Sequence, residues 1–352
     1  MSENNSYKLN FVFHRFKHHS SHSGYDCLVR YADANHINSD LSPLASAALQ
    51  KALKLALKNA DVGAYNQHRL FGEIKVSLKL LGLNGNREIF HFLYGEDAYC
   101  YSGFVPRGKG KKIIATFHQP QPHFERSIRR RNHLKRLDKI VTVSRDRLTY
   151  FSEFVEKDKV CFIPHGIDTD FFVPVKEDKE QGSYACLFVG HWLRDFETLK
   201  DVIEIVTAKN KDIEFIIVTT QRDLKHLTNV SNADIRIGIP EDELLDHYQS
   251  SSLLVLPLVD CTANNSILEG LACGLPIVTT DVGGIRDYVD DNCAVLVPPK
   301  APEIMAEKVL ELIENKPLRK TMGENARKKA LEFSWPLVAQ KFEKLYLDLF
   351  SE

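Results

Sequence analysis

Long apolar runs are missing from this sequence. Nowhere do its 352 residues approach the ~18 uninterrupted apolar positions of a membrane-crossing helix. The opening Met1-Ser2-Glu3-Asn4-Asn5 lacks the basic-then-apolar layout of a secretory signal. Cysteine is sparse and scattered: seven residues, at 27, 100, 161, 186, 261, 273 and 293, with no C-x-x-C spacing. A disulfide framework or zinc finger is therefore not expected, and reduced thiols in a cytoplasmic protein are. Low-complexity tracts and short internal repeats are absent too. What remains, 43% hydrophobic and 26% charged residues, is the composition of a soluble globular chain with a large core. A membrane-spanning, secreted, fibrous or disordered protein is not expected on these grounds. At ~150 residues per domain, the length predicts two domains.

The formal net charge of −1 conceals an asymmetry. Residues 1–176 hold 27 basic and 17 acidic side chains, and residues 177–352 hold 19 and 30, giving +10 and −11. A split of this size bears on partners rather than on fold.

Two series of short, continuously apolar strands alternate with helical patterns. In the first half, strands are predicted at Leu9–Phe13, Glu88–Leu93, Ile113–Phe117 and Ile140–Val143, with an amphipathic helix over 42–59 and a basic helix over about 124–137. The second half restarts with strands at Ala185–Val189, Glu214–Val218, Ile235–Ile237, Leu253–Leu256 and Pro276–Thr279, separated by helices at 196–208, 241–249, 266–273 and 302–314. Such strands belong to parallel sheets covered on both faces. The expected fold is α/β, with two doubly wound domains and a polar linker at 174–182. Ligands are expected beyond the carboxyl ends of the strands, in a cleft between the domains.

The most informative stretch runs from Asp260 to Thr280. A strand ends at Pro257, a polar loop follows, a helix starts near Ser266, and Gly274 closes it. The helix's unpaired N–H groups and positive dipole end suit an anion at that loop. Glu269, one turn inside, is placed to accept hydrogen bonds from a ribose diol. Ser266-x-x-Glu269 fits a capping box equally well, which would need Glu269 only to close the helix.

Around this stretch the chain resembles the E-x7-E region of retaining glycosyltransferases of family four, which have the GT-B fold of two facing Rossmann-like domains. Three segments in matching order carry the resemblance further. Phe162-Ile163-Pro164-His165-Gly166-Ile167-Asp168 with Phe171 and Pro174 is similar to the family's domain-junction segment. Lys139–Ser144 resembles its "D.VITVS" strand, and Leu187-Phe188-Val189-Gly190 the strand and turn opening its second domain. Phe333-Ser334-Trp335 with a helix over 336–350 resembles the closing helix that crosses back to the first domain. The resemblance covers roughly residues 85–350. It implies an acceptor-binding domain at 1–173 plus 336–352, and a donor-binding domain at 174–335.

What the resemblance implies for residues is specific. Glu269 matches the glutamate that binds the nucleotide ribose. The family's first glutamate is Cys261 here, a departure, with Asp260 beside it and the backbone of Thr262, Ala263, Asn264 and Asn265 as alternatives for holding sugar hydroxyls. Ser266 belongs to the same donor-binding loop. At the phosphate site His191 follows Gly190 where the family has an arginine. Arg194 becomes the candidate to neutralise the leaving pyrophosphate, because its planar fork holds two phosphate oxygens; Lys200 is a second candidate. The competing reading makes Arg194 a surface side chain paired with Asp195 or Glu197. His118, ending a strand in a "T-F-H" context, matches a histidine beside the donor sugar. Gly24, in Ser23-Gly24-Tyr25, stands where the family has a glycine-rich loop near the diphosphate. His18, His19 and His22 are read as loop residues, since the family needs no metal.

The basic runs at 107–112 and 126–136 make an anionic membrane surface a candidate partner. Nucleic acid is not expected, because no recognition motif accompanies them. The implied activity is retaining transfer of a sugar from a nucleoside diphosphate donor, uridine-linked by preference, to a hydroxyl on a glycan, lipid-linked sugar or small molecule. No cofactor or metal is implied, and the expected location is cytoplasmic, peripheral on the membrane's inner face. Rival readings are a GT-B epimerase or phosphorylase, which would share Glu269, and a non-catalytic GT-B subunit, which Cys261 and His191 favour.

Overall fold

Every strand predicted from an apolar run is present, in two separate sheets whose strands all pair in parallel. The structure is a computed structural model. It describes residues 7–16, 21–38, 70–82, 86–100, 102–128, 131–175, 184–228, 230 and 232–351. The helix expected over 42–59, most of the linker expected at 174–182, and His18, His19, Arg129 and Arg130 lie outside the described residues.

The first sheet contains β1 (Lys8–Phe13), β2 (Asn35–Asn38), β3 (Glu88–Phe92), β4 (Lys111–Phe117), β5 (Lys139–Thr142) and β6 (Val160–Phe162), in spatial order 2-1-3-4-5-6. The second contains β7 (Tyr184–Val189), β8 (Ile213–Thr219), β9 (Ala233–Ile237), β10 (Leu253–Leu256), β11 (Ile277–Thr280) and β12 (Ala294–Val297), in order 12-11-10-7-8-9. Numbered within its own unit, that is the 3-2-1-4-5-6 order of a Rossmann sheet read from the other edge. β10 is buried at all four positions, as a strand covered by helices on both faces must be.

Three edge strands escape the sequence pattern. β2 reads Asn-His-Ile-Asn, with one apolar residue and one neighbour, and β6 and β12 are similarly short edges. The basic helix expected over 124–137 divides instead into an α-helix, Gln121–Ser127, and a 3-10 helix, Asn132–Arg136. Between them Ile128 turns into the core with an extended backbone (φ −123°, ψ 93°), and burying that side chain ends the first helix. Helix Lys316–Leu331 has no counterpart in the sequence pattern either; its polar sequence buries only Arg319, Met322, Gly323, Ala326 and Ala330. No helix among the described residues is long and apolar enough to cross a membrane.

The chain divides into two units. Unit one is 1–19, 24–165 and 336–352, and unit two is 20–23 and 166–335. The junction thus falls at Gly166, ahead of the position expected at 174. Hydrogen bonds place it there: Ile167 N–H donates to the Phe333 carbonyl (2.9 Å), and Trp335 N–H to the Ile167 carbonyl (3.2 Å). Gly166 lies so close to the buried Trp335 indole that a Cβ would overlap the ring. Each unit has its own core. In unit one, Val12, Phe90, Phe92, Ile113 and Phe117 sit among Phe124 and Phe151. In unit two, β7, β8, β10 and β11 pack against helices Phe196–Lys209, Asn265–Ala272 and Pro302–Glu314.

The closing helix, Trp335–Asp348, belongs with unit one beyond its first residue. Its Tyr346 hydroxyl hydrogen-bonds His91 Nδ1 (2.7 Å), and His91 Nε2 bonds Thr116 Oγ1 (2.8 Å). Burial lowers the His91 pKa to about 3, so this imidazole is neutral.

Candidate functional site

In a doubly wound sheet the carboxyl ends of the strands at the topological switch point form the natural ligand position. In unit two that point lies between β7 and β10. β7 ends at Val189, and Gly190 follows with φ +98°. A Cβ on Gly190 would approach Arg194 Nη2 to 2.6 Å, so glycine lets the loop close around the guanidinium.

Arg194 is held on several sides. Its Nε donates to the Val189 carbonyl (2.9 Å) and its Nη1 to the Trp192 carbonyl (2.9 Å). Its Nη2 donates to Asn264 Oδ1 (3.3 Å) and Ser266 Oγ (3.0 Å). None of these partners is Asp195 or Glu197, as the surface reading required. Asp195 caps its own helix through Thr198 N–H (3.1 Å), and Glu197 pairs with Lys200 (2.8 Å). Removal from water pushes the Arg194 pKa down to about 10, so it keeps its charge at neutral pH.

Helix Asn265–Ala272 is capped by Asn264, whose Oδ1 accepts Ile267 N–H (3.3 Å). Asn264 therefore serves both the cap and Arg194. Ser266, inside the first turn, donates to the Val189 carbonyl (3.2 Å) and is not the cap. The capping-box reading of Ser266 and Glu269 fails for that reason. At the other end Gly274 adopts φ +74°, and the Leu275 N–H to Gly270 carbonyl and Gly274 N–H to Leu271 carbonyl bonds complete a Schellman motif.

Glu269 is buried, one turn beyond the cap. Its Oε2 accepts the Tyr248 hydroxyl (2.8 Å), and its Oε1 accepts the Ser23 hydroxyl (2.5 Å). Burial raises its pKa; the Ser23 and Tyr248 hydrogen bonds and the Arg194 charge work against that rise. Segment 21–23, counted with unit two, is fixed by four further contacts. Ser21 and His22 N–H each donate to the Glu241 carboxylate (2.9 Å). The His22 ring bonds Asp168 (2.6 Å) and stacks on Phe171 at 3.9 Å.

The remaining expected residues are distributed unevenly. Cys261 is buried, its thiol directed to the Val282 carbonyl (3.4 Å), and Asp260 Oδ1 accepts Cys261 N–H (2.8 Å). Thr262 is buried, Asn265 half-buried and His191 exposed. Lys200 lies a turn inside helix Phe196–Lys209, paired with Glu197. Gly24 (φ +99°) starts the 3-10 helix Tyr25–Tyr31 in unit one.

Unit one has its own switch point, between β1 and β3. His118, following β4, donates from Nε2 to the Leu93 carbonyl (3.0 Å), which fixes its tautomer. Its backbone N–H donates to Glu96 Oε1 (2.9 Å), and its ring lies 4.4 Å from that of Tyr25. Glu96 is buried, and its Oε2 has no hydrogen-bond partner among the described residues. Burial, with Asp97 adding to it, pushes the Glu96 pKa up to about 8. The basic runs are partly spent internally: Arg107 and Lys112 share Asp138, Lys111 pairs with buried Glu88, and Arg131 pairs with Glu125. No cluster of three His, Cys, Asp or Glu side chains arranged for a metal occurs among the described residues.

The sequence reading missed Tyr248, Glu96 and the partner roles of Ser23 and Asp168. An acid in the turn three residues beyond a predicted strand was the available signal for Glu96. Tyr248, inside a helix, gave none.

Residues 183–315 match the family model described as Glycosyl transferases group 1. This stretch is similar to the group 1 glycosyltransferases over little more than a third of the chain. The matched stretch contains Gly190, Arg194, Tyr248, Asn264, Ser266 and Glu269. An uncharacterized glycosyltransferase of Methanocaldococcus jannaschii is 29% identical over 222 residues, 60% of each chain. The D-inositol 3-phosphate glycosyltransferase of Corynebacterium diphtheriae is 27% identical over 218 residues, 54% of this chain and 51% of that protein. The chain thus spans between half and two thirds of these relatives' lengths. Among solved structures, sucrose-phosphate synthase from Thermosynechococcus elongatus superposes with a TM-score of 0.72 at 18% identity, covering 98% of this chain and 99% of that one. Anabaena HepE in complex with UDP and glucose gives 0.72 at 14% identity, covering 97% and 99%. Outside as well as inside the matched stretch, the architecture is GT-B.

Two outcomes are expected. Tyr248→Phe strips a donor from the buried Glu269 carboxylate and should destabilise unit two by about 1–3 kcal/mol in urea unfolding; a loss below about 0.5 kcal/mol would contradict the geometry. For Glu96 the folded pKa, about 8, exceeds the ordinary 4.5. Between those values the native state holds a proton that the unfolded chain has released. Its stabilising contribution is complete below the lower value and is lost as pH rises through the upper. Glu96→Gln should remove a pH-dependent loss on the order of 4 kcal/mol between pH 5 and 8, read as a flatter stability-versus-pH curve. Identical slopes for variant and parent would exclude a neutral Glu96.

Proposed function

We propose that the protein is a retaining glycosyltransferase that moves a sugar from a nucleoside diphosphate donor, UDP-linked by preference, to an acceptor hydroxyl. The observation carrying this reading is Arg194, held by Val189, Asn264 and Ser266 at the start of helix Asn265–Ala272, one turn from the buried Glu269. A guanidinium and a helix N-terminus at one place form a fixed positive field. Breaking the bond between the anomeric carbon and the diphosphate oxygen leaves negative charge on that oxygen. Donors already in position stabilise it without reorganisation. In the retaining course the departing diphosphate accepts the proton of the attacking hydroxyl, so no protein nucleophile is needed.

Glu269 is assigned to the ribose. Its Oε1 already accepts a hydroxyl, that of Ser23, at 2.5 Å. A ribose hydroxyl is the same kind of donor, and the nucleotide would take Ser23's place. With Cys261 directed into the backbone at Val282, sugar hydroxyls fall to Asp260, Thr262 and Asn265. His118 and Glu96 are assigned to the acceptor side, where a neutral Glu96 holds the loop carrying His118. The reaction as proposed needs no metal. A glycan or lipid-linked acceptor is favoured, at an anionic surface engaged by whichever basic side chains are not spent on internal pairs.

The test is release of UDP from UDP-glucose and UDP-N-acetylglucosamine in the presence of acceptor mixtures. Arg194→Ala should lower turnover by about 10²–10³, with partial recovery in Arg194→Lys. Glu269→Gln should mainly raise the donor KM. Full turnover in Arg194→Ala would overturn the assignment, and alteration of the sugar without UDP release would point to an epimerase.

A further inference from the structure

Away from both switch points, unit one contains a groove of about 650 Å³. It lies at the amino ends of β1 and β2, against helix Trp335–Asp348. Its origin is a short crossover: the helical part described between β1 and β2 is the seven-residue 3-10 helix Tyr25–Tyr31. At ~2 Å rise per residue that element spans ~14 Å, less of the sheet face than a full crossover α-helix would cover. Phe11, Leu28 and Phe342 form an apolar floor.

The walls are aromatic and polar. Tyr7 is fixed by stacking on Phe350 (6.0 Å, 24°) and by an edge contact with Tyr346 (6.3 Å). Tyr31 stands at the rim, 36% exposed. Asp33 and Asn35 line the strand side, and Gln340 and Glu343 the helix side. Asn35 donates its side-chain N–H to the Leu9 carbonyl (3.1 Å), which fixes the amide. Lys8 is the one cation in the lining, against two carboxylates. A net acidic lining disfavours phosphates and nucleotides. Rigid aromatic rings suit the C–H faces of a sugar, and carboxylate and amide oxygens suit its hydroxyls. The volume falls in the range of small-ligand sites.

We propose that this groove binds a neutral saccharide. β1 spans ~20 Å, so the groove lies at the opposite end of the sheet from His118 and Glu96. Such a site would hold a stretch of glycan remote from the chemistry. The inference is independent of the donor-site assignment.

The experiment is saturation-transfer NMR followed by calorimetry on the full chain without nucleotide. The neutral probes are maltotriose, cellotriose and chitotriose, and a sulfated disaccharide serves as the anionic control. At least one neutral probe should bind, with a Kd of about 1 mM or tighter. Tyr31→Ala and Asp33→Asn, both at exposed positions, should each weaken it about tenfold or more, while Glu269→Gln should leave it within about twofold. Absence of binding by all neutral probes at roughly 10 mM, binding indifferent to both groove variants, or binding of the anionic control alone would overturn the proposal. Loss of transferase activity with groove binding intact would bear only on the donor-site assignment.

Discussion

The guanidinium of Arg194 ties together three parts of unit two: the end of β7 through the Val189 carbonyl, its own loop through Trp192, and the start of helix Asn265–Ala272 through Asn264 and Ser266. Much else at the switch point depends on that tie. Gly190 must lack a side chain to let the guanidinium in, and Asn264 divides its oxygen between cation and cap. The same interaction fixes where positive charge stands relative to the helix terminus. A charge fixed beforehand is worth more to a reaction than one that must be gathered, because no reorganisation accompanies the chemical step.

Unit one solves a different problem. The loops at its switch point carry aromatic rings, Tyr25 and Tyr94, and Glu96, which burial holds neutral at neutral pH. The hydrogen bond from His118 N–H to Glu96 fixes the loop after β4, and the bond from His118 Nε2 to the Leu93 carbonyl fixes the ring. A neutral carboxyl group suits a hydroxyl-bearing ligand better than an anion, whereas the Arg194 guanidinium of unit two suits an anion.

Much of this was legible in the sequence, for identifiable reasons. A strand such as β10 is continuously apolar because both faces are covered, and the alternation of such strands with helices pointed to the α/β class. Gly190 and Gly274 marked positive-φ turns at the ends of a strand and a helix. The edge strand β2 was not legible, since one isoleucine among polar residues gives no period. Nor was the identity of the helix cap: Asn264, Asn265 and Ser266 are all good caps, and only the pull of Val189 and Arg194 on Ser266 decides among them. Tyr248 was invisible because a tyrosine on an amphipathic helix reads as core, which it also is.

The central claim is that this arrangement exists to hold a diphosphate. Calorimetric titration of UDP against uridine, at matched ionic strength, isolates that group from the base and ribose. The account predicts that UDP binds at least about 100-fold more tightly, on the order of 3 kcal/mol, and that most of this difference disappears in Arg194→Ala. Equal affinities for UDP and uridine, with Arg194 intact, would contradict it.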